Sequence, residues 1–358
     1  MTGVANGGSP RLPRRSLLAL AALATLPAAG CTRRSEYTGD TQPTNNPVRL
    51  SPSAPADPSS ASAAANGKDA AKKSGLSGGA VKYVPGKARL GSYLDLGGMS
   101  LTQALALRRK QLGRDQDIVH VFYKWTDTLP SARPDIGDQS ILMISWEGTF
   151  YSAITGGSSD KLIAAAARQL AAHAKPTLLR WGWEMNGNWF DWDGTHNGRK
   201  TAGYAKSWQR MRKIFHEEGA DNVAWVWSPN WNSGPNVSWN QYEHYYPGDA
   251  YVDWVGVSAY PFNKQSPTTL FQRICAEYGA RKPIMLTETA SIDNGGTTKR
   301  DWINTFAAYM KAQPAIGAVV WFDTDTQPGT SENFRIDTSS SVLAAYKAMA
   351  DSERFSAV

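Results

Sequence analysis

Eight short runs of apolar and β-branched residues recur along the chain: ARLGSYLDL (88–96), DIVHVFYKW (117–125), SILMISWEG (140–148), PTLLRWGWEM (176–185), NVAWVWSPN (222–230), VDWVGVSAY (252–260), PIMLTETA (283–290) and IGAVVWFDTD (316–325). They are mostly continuous rather than alternating. A strand wetted on one face alternates apolar and polar side chains; a strand covered on both faces does not have to. The runs therefore predict a buried parallel sheet. Between several of them lie segments with apolar residues at three-to-four spacing: LTQALALRRKQLG, DKLIAAAARQLAAH, TAGYAKSWQRMRKIFHEEG and TKRDWINTFAAYMKAQ, with SVLAAYKAMADSERF closing the chain. The segment WTDTLPSARPDIGD, after the second run, carries prolines and turn residues and reads as a loop with a short turn. Eight strand–helix units over about 275 residues predict a (β/α)8 barrel. The doubly wound sheet is the competing arrangement. It carries a glycine-rich phosphate loop after its first strand, and here that place holds Gly97-Gly98-Met99-Ser100-Leu101.

The chain start has a different character. Arg14-Arg15 precede SLLALAALATLPAAG, an apolar run too short to span a bilayer as a helix. Residues 1–31 thus read as a signal peptide of the twin-arginine type. It ends in Ala28-Ala29-Gly30-Cys31, similar to a bacterial lipoprotein cleavage box, with Ala28 where such boxes usually carry leucine. Two outcomes follow: lipidation at Cys31, which would be the chain's sole contact with a membrane, or cleavage and release. Either way the protein is expected outside the cell membrane. Residues 32–80 are rich in Ser, Pro, Ala and Gly with few large apolar side chains, and are expected to be a disordered linker. Residues 81–358 are left as one barrel domain, expected to be monomeric. The other cysteine, Cys275, lies in the helix-like LFQRICAEYG and reads as a small hydrophobe.

Net charge excludes one class of partner. The chain has 38 Lys/Arg against 31 Asp/Glu, but nine against four fall in the first 80 residues, leaving 29 against 27 beyond. The barrel portion is nearly neutral, and no basic stripe of the kind phosphate backbones require is present, so nucleic acid is not an expected partner.

Side chains at the C-terminal ends of barrel strands converge on one opening. Glu184 closes the fourth run and Glu288 the seventh; Glu147 closes the third, Asp323 and Asp325 the eighth, and Asp95 lies near the end of the first. Trp125, Trp146, Trp181, Trp183, Trp227, Trp321 and Tyr260 stand at run ends beside them. A glycosidic bond breaks through an oxocarbenium-like transition state, with one carboxyl protonating the leaving oxygen and another attacking or directing water. Sugars also present flat C–H faces suited to stacking on aromatic rings. Two acids among indoles are the outline of a glycan-cleaving cleft. The acid that protonates must hold its proton near neutral pH, and apolar surroundings plus a second carboxylate would supply that for Glu184. Glu147 reads equally as a third cleft carboxylate or an ion-pair partner. DWDGTHNG (191–198) reads as a polar loop, the five histidines as satisfied or solvent-facing, and no metal or cofactor is expected.

The stretch Arg180-Trp181-Gly182-Trp183-Glu184-Met185-Asn186-Gly187-Asn188-Trp189-Phe190 resembles the acid/base motif of glycoside hydrolase family 26, and Leu286-Thr287-Glu288-Thr289 resembles its nucleophile strand. The resemblance covers most of residues 85–350. It implies a (β/α)8 barrel, a mechanism retaining anomeric configuration, and a polysaccharide partner. The family is mostly endo-β-1,4-mannanases, with some β-glucanases and β-1,3-xylanases. Carried over by position, Glu184 would be the acid/base and Glu288 the nucleophile. Trp189 would stack on sugar, Tyr260 would hydrogen-bond near the nucleophile, Trp321 would floor the site, and Asn186 and Arg180 would orient the carboxylates. Trp183, Trp227 and Trp146 complete the expected substrate-binding set. Mannanases of the family usually carry histidine where Trp183 stands. The resemblance thus implies a retaining endo-β-glycosidase acting on β-1,4-mannan first. A β-1,4- or β-1,3/1,4-glucanase or β-xylanase stands as the alternative, and a catalytically retired glycan-binding lipoprotein as the reading from another class.

Overall fold

A computed structural model of the chain describes residues 77–325 and 332–356. The expected signal peptide, most of the expected linker and the Cys31 box lie outside the described residues. Eight parallel strands close into a barrel in sequence order: β1 (Arg89–Asp95), β2 (Ile118–Tyr123), β3 (Ile141–Trp146), β4 (Thr177–Trp181), β5 (Val223–Trp227), β6 (Trp254–Ser258), β7 (Ile284–Thr289) and β8 (Ile316–Thr324). β8 returns to pair with β1 along seven residues, from Arg89 opposite Ala318 to Asp95 opposite Thr324. The helices are α1 (Leu101–Leu112), α2 (Tyr151–Thr155), α3 (Asp160–His173), α4 (Thr201–Glu217), α5 (Pro267–Tyr278), α6 (Thr298–Ala312) and α7 (Ser340–Ala350). The expected (β/α)8 barrel is what forms.

Local chemistry sets the helix ends. Ser100 and Gln103 make a reciprocal capping box at the start of α1, and Gly113 ends it in the left-handed conformation. Ser266 caps α5 with Pro267 in its first turn. The connection from β2 to β3 has no α-helix, in line with its prolines. Between β5 and β6 three short 3₁₀ turns (Ser238–Asn240, Tyr242–Tyr245, Asp249–Tyr251) take the place of a helix.

The barrel interior is apolar at its N-terminal end, where Ile118, Met143, Leu178, Val226, Trp254, Met285 and Val320 pack together. Trp254 donates its indole N–H to the carbonyls of Gly78 (2.9 Å) and Val81 (3.1 Å), so the segment entering the barrel lies across this end. Residues 77–80, within the stretch expected as linker, take part in that closure. Among the described residues no helix is long and apolar enough to cross a membrane.

Side-chain alternation decides which strand residues face the interior. Trp146, Trp181, Trp227 and Trp321 are all fully buried, and all pack outward. Trp146 stacks on Trp125 and reaches Phe215 of α4; Trp181 lies on Tyr204 and Trp208 of α4. Trp227 meets Tyr242, Tyr246 and Tyr278, and Trp321 meets Trp302, Phe306 and Tyr346. Each such indole removes roughly 150–250 Å² from water, worth about 5 kcal/mol by transfer. They form a belt between barrel and helices.

Candidate active site

At the C-terminal end of the barrel the interior turns polar. Arg180, fully buried on β4, is its centre. Its Nη1 donates to Glu288 Oε2 (2.6 Å) and Ser145 Oγ (3.1 Å), its Nε to Ser228 Oγ (3.0 Å), and its Nη2 to Ser258 Oγ. One guanidinium thus joins the ends of β3, β4, β6 and β7 with the residue after β5. Such a fork suits Arg and not Lys. The Tyr260 hydroxyl donates to the other oxygen, Glu288 Oε1, at 3.3 Å. Glu288 lies where the pairing of β7 with both neighbours shifts register, which re-aims its side chain beside inward-facing Thr287.

Glu184 is placed by a turn rather than by the strand. β4 ends at Trp181, and Gly182 (φ 52°) and Glu184 (φ 55°) both take the left-handed conformation. For a residue other than glycine this conformation costs roughly 1–2 kcal/mol. The turn is pinned by Glu184 N–H to the Ser228 carbonyl (2.8 Å) and Gly187 N–H to the Glu184 carbonyl (2.8 Å). Trp189 Nε1 donates to Glu184 Oε2 at 3.0 Å. The Trp189 ring lies against Gly187, where a Cβ would meet it at 2.6 Å, so that position has to be glycine. Asp193 Oδ2 receives the backbone N–H groups of Trp189 (2.6 Å) and Phe190 (2.8 Å) and fixes the turn that carries the indole. The polar segment 191–198 therefore braces the site from behind.

The two carboxyl groups sense each other. Burial, then the charge of Glu288, push the Glu184 carboxyl up to about 7; Arg180 and hydrogen bonds from Ser258 and Trp189 restrain the rise. Ser258 accepts from Arg180 and donates to Glu184, so Glu184 and Glu288 hang on one network.

His120 lies beneath it, buried, with Nε2 at 2.6 Å from Ser145 Oγ. Ser145 Oγ thus joins His120 to Arg180, while His120 Nδ1 is buried without a hydrogen-bond partner among the described residues. Burial, then the nearby Arg180 charge, hold this imidazole far below its ordinary pKa.

The expected site residues separate into two groups. Glu184, Glu288, Arg180, Trp189 and Tyr260 come together. Trp183 stands at the wall: it packs on Phe122, Phe190 and Trp192, and Arg180 lies over its ring at 5.2 Å. An indole there supports the guanidinium through its π face. Trp321, expected to floor the site, faces the helices instead and donates to the Phe334 carbonyl at 2.9 Å. The inward position belongs to its neighbour Phe322, stacked on Tyr93 at 4.8 Å. Trp146 and Trp227 likewise leave the site, because alternation gives the inward places to Ser145 and Ser228. Asn186, expected to orient a carboxylate, instead bonds through its amide to Asn230 and Ser233 and ties the loop after β4 to the loop after β5. Asp323 is bound by Arg108 of α1 through two 2.7 Å contacts, outside the barrel. Glu147 receives a hydrogen bond from the Trp125 backbone and faces Lys124, with no arginine beside it among the described residues.

Ser145, Ser228, Ser258, His120 and Asp193 were not singled out from sequence as site residues. The usable signal for the three serines is a polar residue at or next to the end of a strand that is otherwise apolar; His120 stands in the middle of β2.

A model of glycosyl hydrolase family 26 matches residues 138–345. Over 252 residues the chain is 31% identical to Endoglucanase H of Acetivibrio thermocellus, covering 66% of this chain and 27% of that relative. Over 183 residues it is 34% identical to a mannan endo-1,4-β-mannosidase of Bacillus subtilis, covering 49% of this chain and 46% of the relative. The matched stretch spans less than half the length of either. Among solved structures, a GH26 β-mannanase from Bacteroides ovatus superposes with a TM-score of 0.57 at 16% identity, over 75% of this chain and 89% of that one. At that identity the likeness speaks for the fold alone.

Proposed function

Because the chain belongs to glycosyl hydrolase family 26, we propose that it is a retaining endo-β-glycosidase with Glu184 as acid/base and Glu288 as nucleophile. The observation that carries this is the unlike setting of two carboxyls on one network. Arg180 and Tyr260 hold Glu288 as an acceptor, while burial beside that negative charge keeps a proton on Glu184.

In the proposed reaction Glu184 gives its proton to the glycosidic oxygen as a Glu288 oxygen attacks the anomeric carbon. The bond to the leaving sugar breaks and a glycosyl ester forms on Glu288. The ester carries no charge, so the repulsion that raised Glu184 vanishes. Glu184, now a carboxylate, takes a proton from water as the water oxygen attacks the same carbon; the ester bond breaks and Glu288 recovers its charge. Trp189 holds Glu184 in place and offers an indole face to the sugar.

The substrate we propose is β-1,4-mannan, in keeping with the mannan endo-1,4-β-mannosidases among the relatives. A second reading, β-glucan, is favoured by Trp183 in place of histidine and by the 252-residue match to an endoglucanase. With the Arg14-Arg15 start and the Cys31 box, the proposed setting is the outside of a bacterial membrane, anchored or released. Assays on mannan, glucomannan and mixed-linkage glucan decide between the substrates. Glu184→Gln and Glu288→Gln should each lower hydrolysis at least about a thousandfold, near 4 kcal/mol of barrier, with the circular dichroism spectrum preserved. Near-native activity in either variant removes that residue from the mechanism. Inverted configuration in the first product rules out the double displacement.

A further inference from the structure

A cavity of about 240 Å³ opens on the same rim, outside the carboxylate pair, between the loop after β6 and the loop after β7. Pro261, Lys264, Ser291, Asn294, Asp301 and Trp302 are among its walls. We propose that it is a second carbohydrate-binding pocket, taking one pyranose ring of the polysaccharide chain that the carboxylates cleave. The proposal rests on the glycosidase reading and adds a contact remote from the scissile bond.

Three features support it. The volume lies below the roughly 300 Å³ at which pockets for drug-sized ligands begin, so it suits a single ring rather than an oligosaccharide. The lining is mainly apolar, with Pro261, Ile292 and Trp302 among its walls, and it carries hydroxyls and an amide from Ser291, Thr298, Thr305 and Asn294; of its charged residues, Asp301 is already paired with Arg300 at 2.8 Å. That composition matches an uncharged polyol better than an anion or a cation. Finally, Trp302 is a rigid, partly exposed ring. Its Nε1 donates to the Gln265 carbonyl at 3.0 Å, and it stacks on Phe306 at 5.2 Å with 11° between the planes. An aromatic already fixed in place binds a flat C–H face without a further ordering cost.

The pocket is also tied to the cleft. Pro261 follows Tyr260, whose hydroxyl meets Glu288, and Ser291 lies three residues beyond Glu288, in the loop after β7. Phe262, 44% exposed, bridges outward from Tyr260, with ring centroids 5.5 Å apart. Tyr260 and Phe262 thus set two aromatic rings on the loop that runs from beside the nucleophile to the pocket wall at Pro261 and Lys264.

The test compares wild type with Trp302→Ala and with Thr305→Tyr. The second variant fills the pocket from an exposed helix position and leaves the packing of Trp302 on Phe306 and Trp321 in place. Kinetics on polymeric mannan and mixed-linkage glucan are set beside kinetics on a short aryl β-glycoside. Each variant should lower the polymer-to-short-substrate ratio of kcat/KM about tenfold, through KM. In the Glu288→Gln protein, mannotriose or cellotriose should shift the Trp302 indole N–H resonance, and Thr305→Tyr should abolish that shift. Wild-type ratios in both variants with hydrolysis intact overturn the pocket and leave the catalytic reading standing. A Trp302 response in a wild-type protein that hydrolyses no glycan overturns the catalytic reading and leaves the pocket.

Discussion

Replacing Glu184 with glutamine should make the protein more stable above neutral pH and should not do so in acid. The carboxyl is raised from 4.5 to about 7, first by burial and then by the charge of Glu288. A rise of about 2.5 units at 1.36 kcal/mol each sets a ceiling of about 3 kcal/mol. Glu184 keeps part of its surface exposed, and solvent screening there brings the expected figure to about 2 kcal/mol. The sign follows from linkage. Below about 4.5 the acid is protonated in both folded and unfolded chains and makes no difference. Between about 4.5 and 7 the unfolded chain ionises and the folded chain resists, so wild type loses stability as pH rises. Above about 7 the loss is complete. The glutamine amide has nothing to ionise. Urea unfolding of both proteins at about pH 4 and pH 8 should therefore show near-equal stabilities in acid and an advantage of about 2 kcal/mol for Glu184→Gln in base. In a Glu288→Gln background the advantage should shrink, because the second cause of the shift is gone. An advantage equal at both pH values, or wild type ahead in base, would falsify the assignment of a strained, proton-holding acid.

The same shift governs rate. kcat/KM should fall about tenfold per unit above about pH 7, where Glu184 loses its proton; a basic limb absent up to about pH 9 counts against Glu184 as the proton donor. Trp189→Phe removes a hydrogen bond that favours the ionised acid, so that limb should move to higher pH while kcat/KM drops roughly tenfold with the lost positioning. Trp321→Phe should lower stability by about 1–2 kcal/mol through the lost bond to the Phe334 carbonyl and leave KM for polysaccharide as it was; a raised KM would return this ring to the cleft.

The barrel was legible because each strand, covered on both faces, left a continuous apolar run that named its position. The same continuity hid the facing. In IGAVVWFDTD nothing distinguishes Trp321 from Phe322, yet a one-residue difference sends the first to the helices and the second to the opening. Glu184 and Glu288 were legible from their places at the ends of the fourth and seventh runs. Their geometry was not. It depends on a left-handed turn at Glu184 and a register shift in β7, both imposed by contacts with other strands rather than by neighbouring residues. The serines that carry Arg180 were hidden for a related reason. A hydroxyl in an apolar strand draws no notice until a guanidinium is found across the barrel from it.

The balance of charge explains why this set of groups works together. Among the described residues of the buried layer around the pair, Arg180 is the cation and Glu288 the carboxylate bound to it; the buried Asp193 carboxyl behind them, held by the Trp189 and Phe190 N–H groups, is pushed well up, first by burial, and also feels Glu184. The other partners of that guanidinium are hydroxyls, and His120 is kept neutral. Ionising Glu184 would leave the layer with a net negative charge, and protonating His120 would leave it positive. In a site withdrawn from water both are opposed, so the acid is pushed up and the imidazole down. In the proposed reaction, forming the glycosyl ester erases the Glu288 charge at the moment Glu184 gives up its proton. The layer again holds one cation and one anion, with the anion moved from the nucleophile to the base. Hydrolysis of the ester reverses the exchange. Neutrality in both resting states means that neither step has to create an unpaired charge in a low-dielectric pocket. The positive charge that does develop, on the anomeric carbon at each transition state, is matched by a carboxylate on either side as negative charge passes between them.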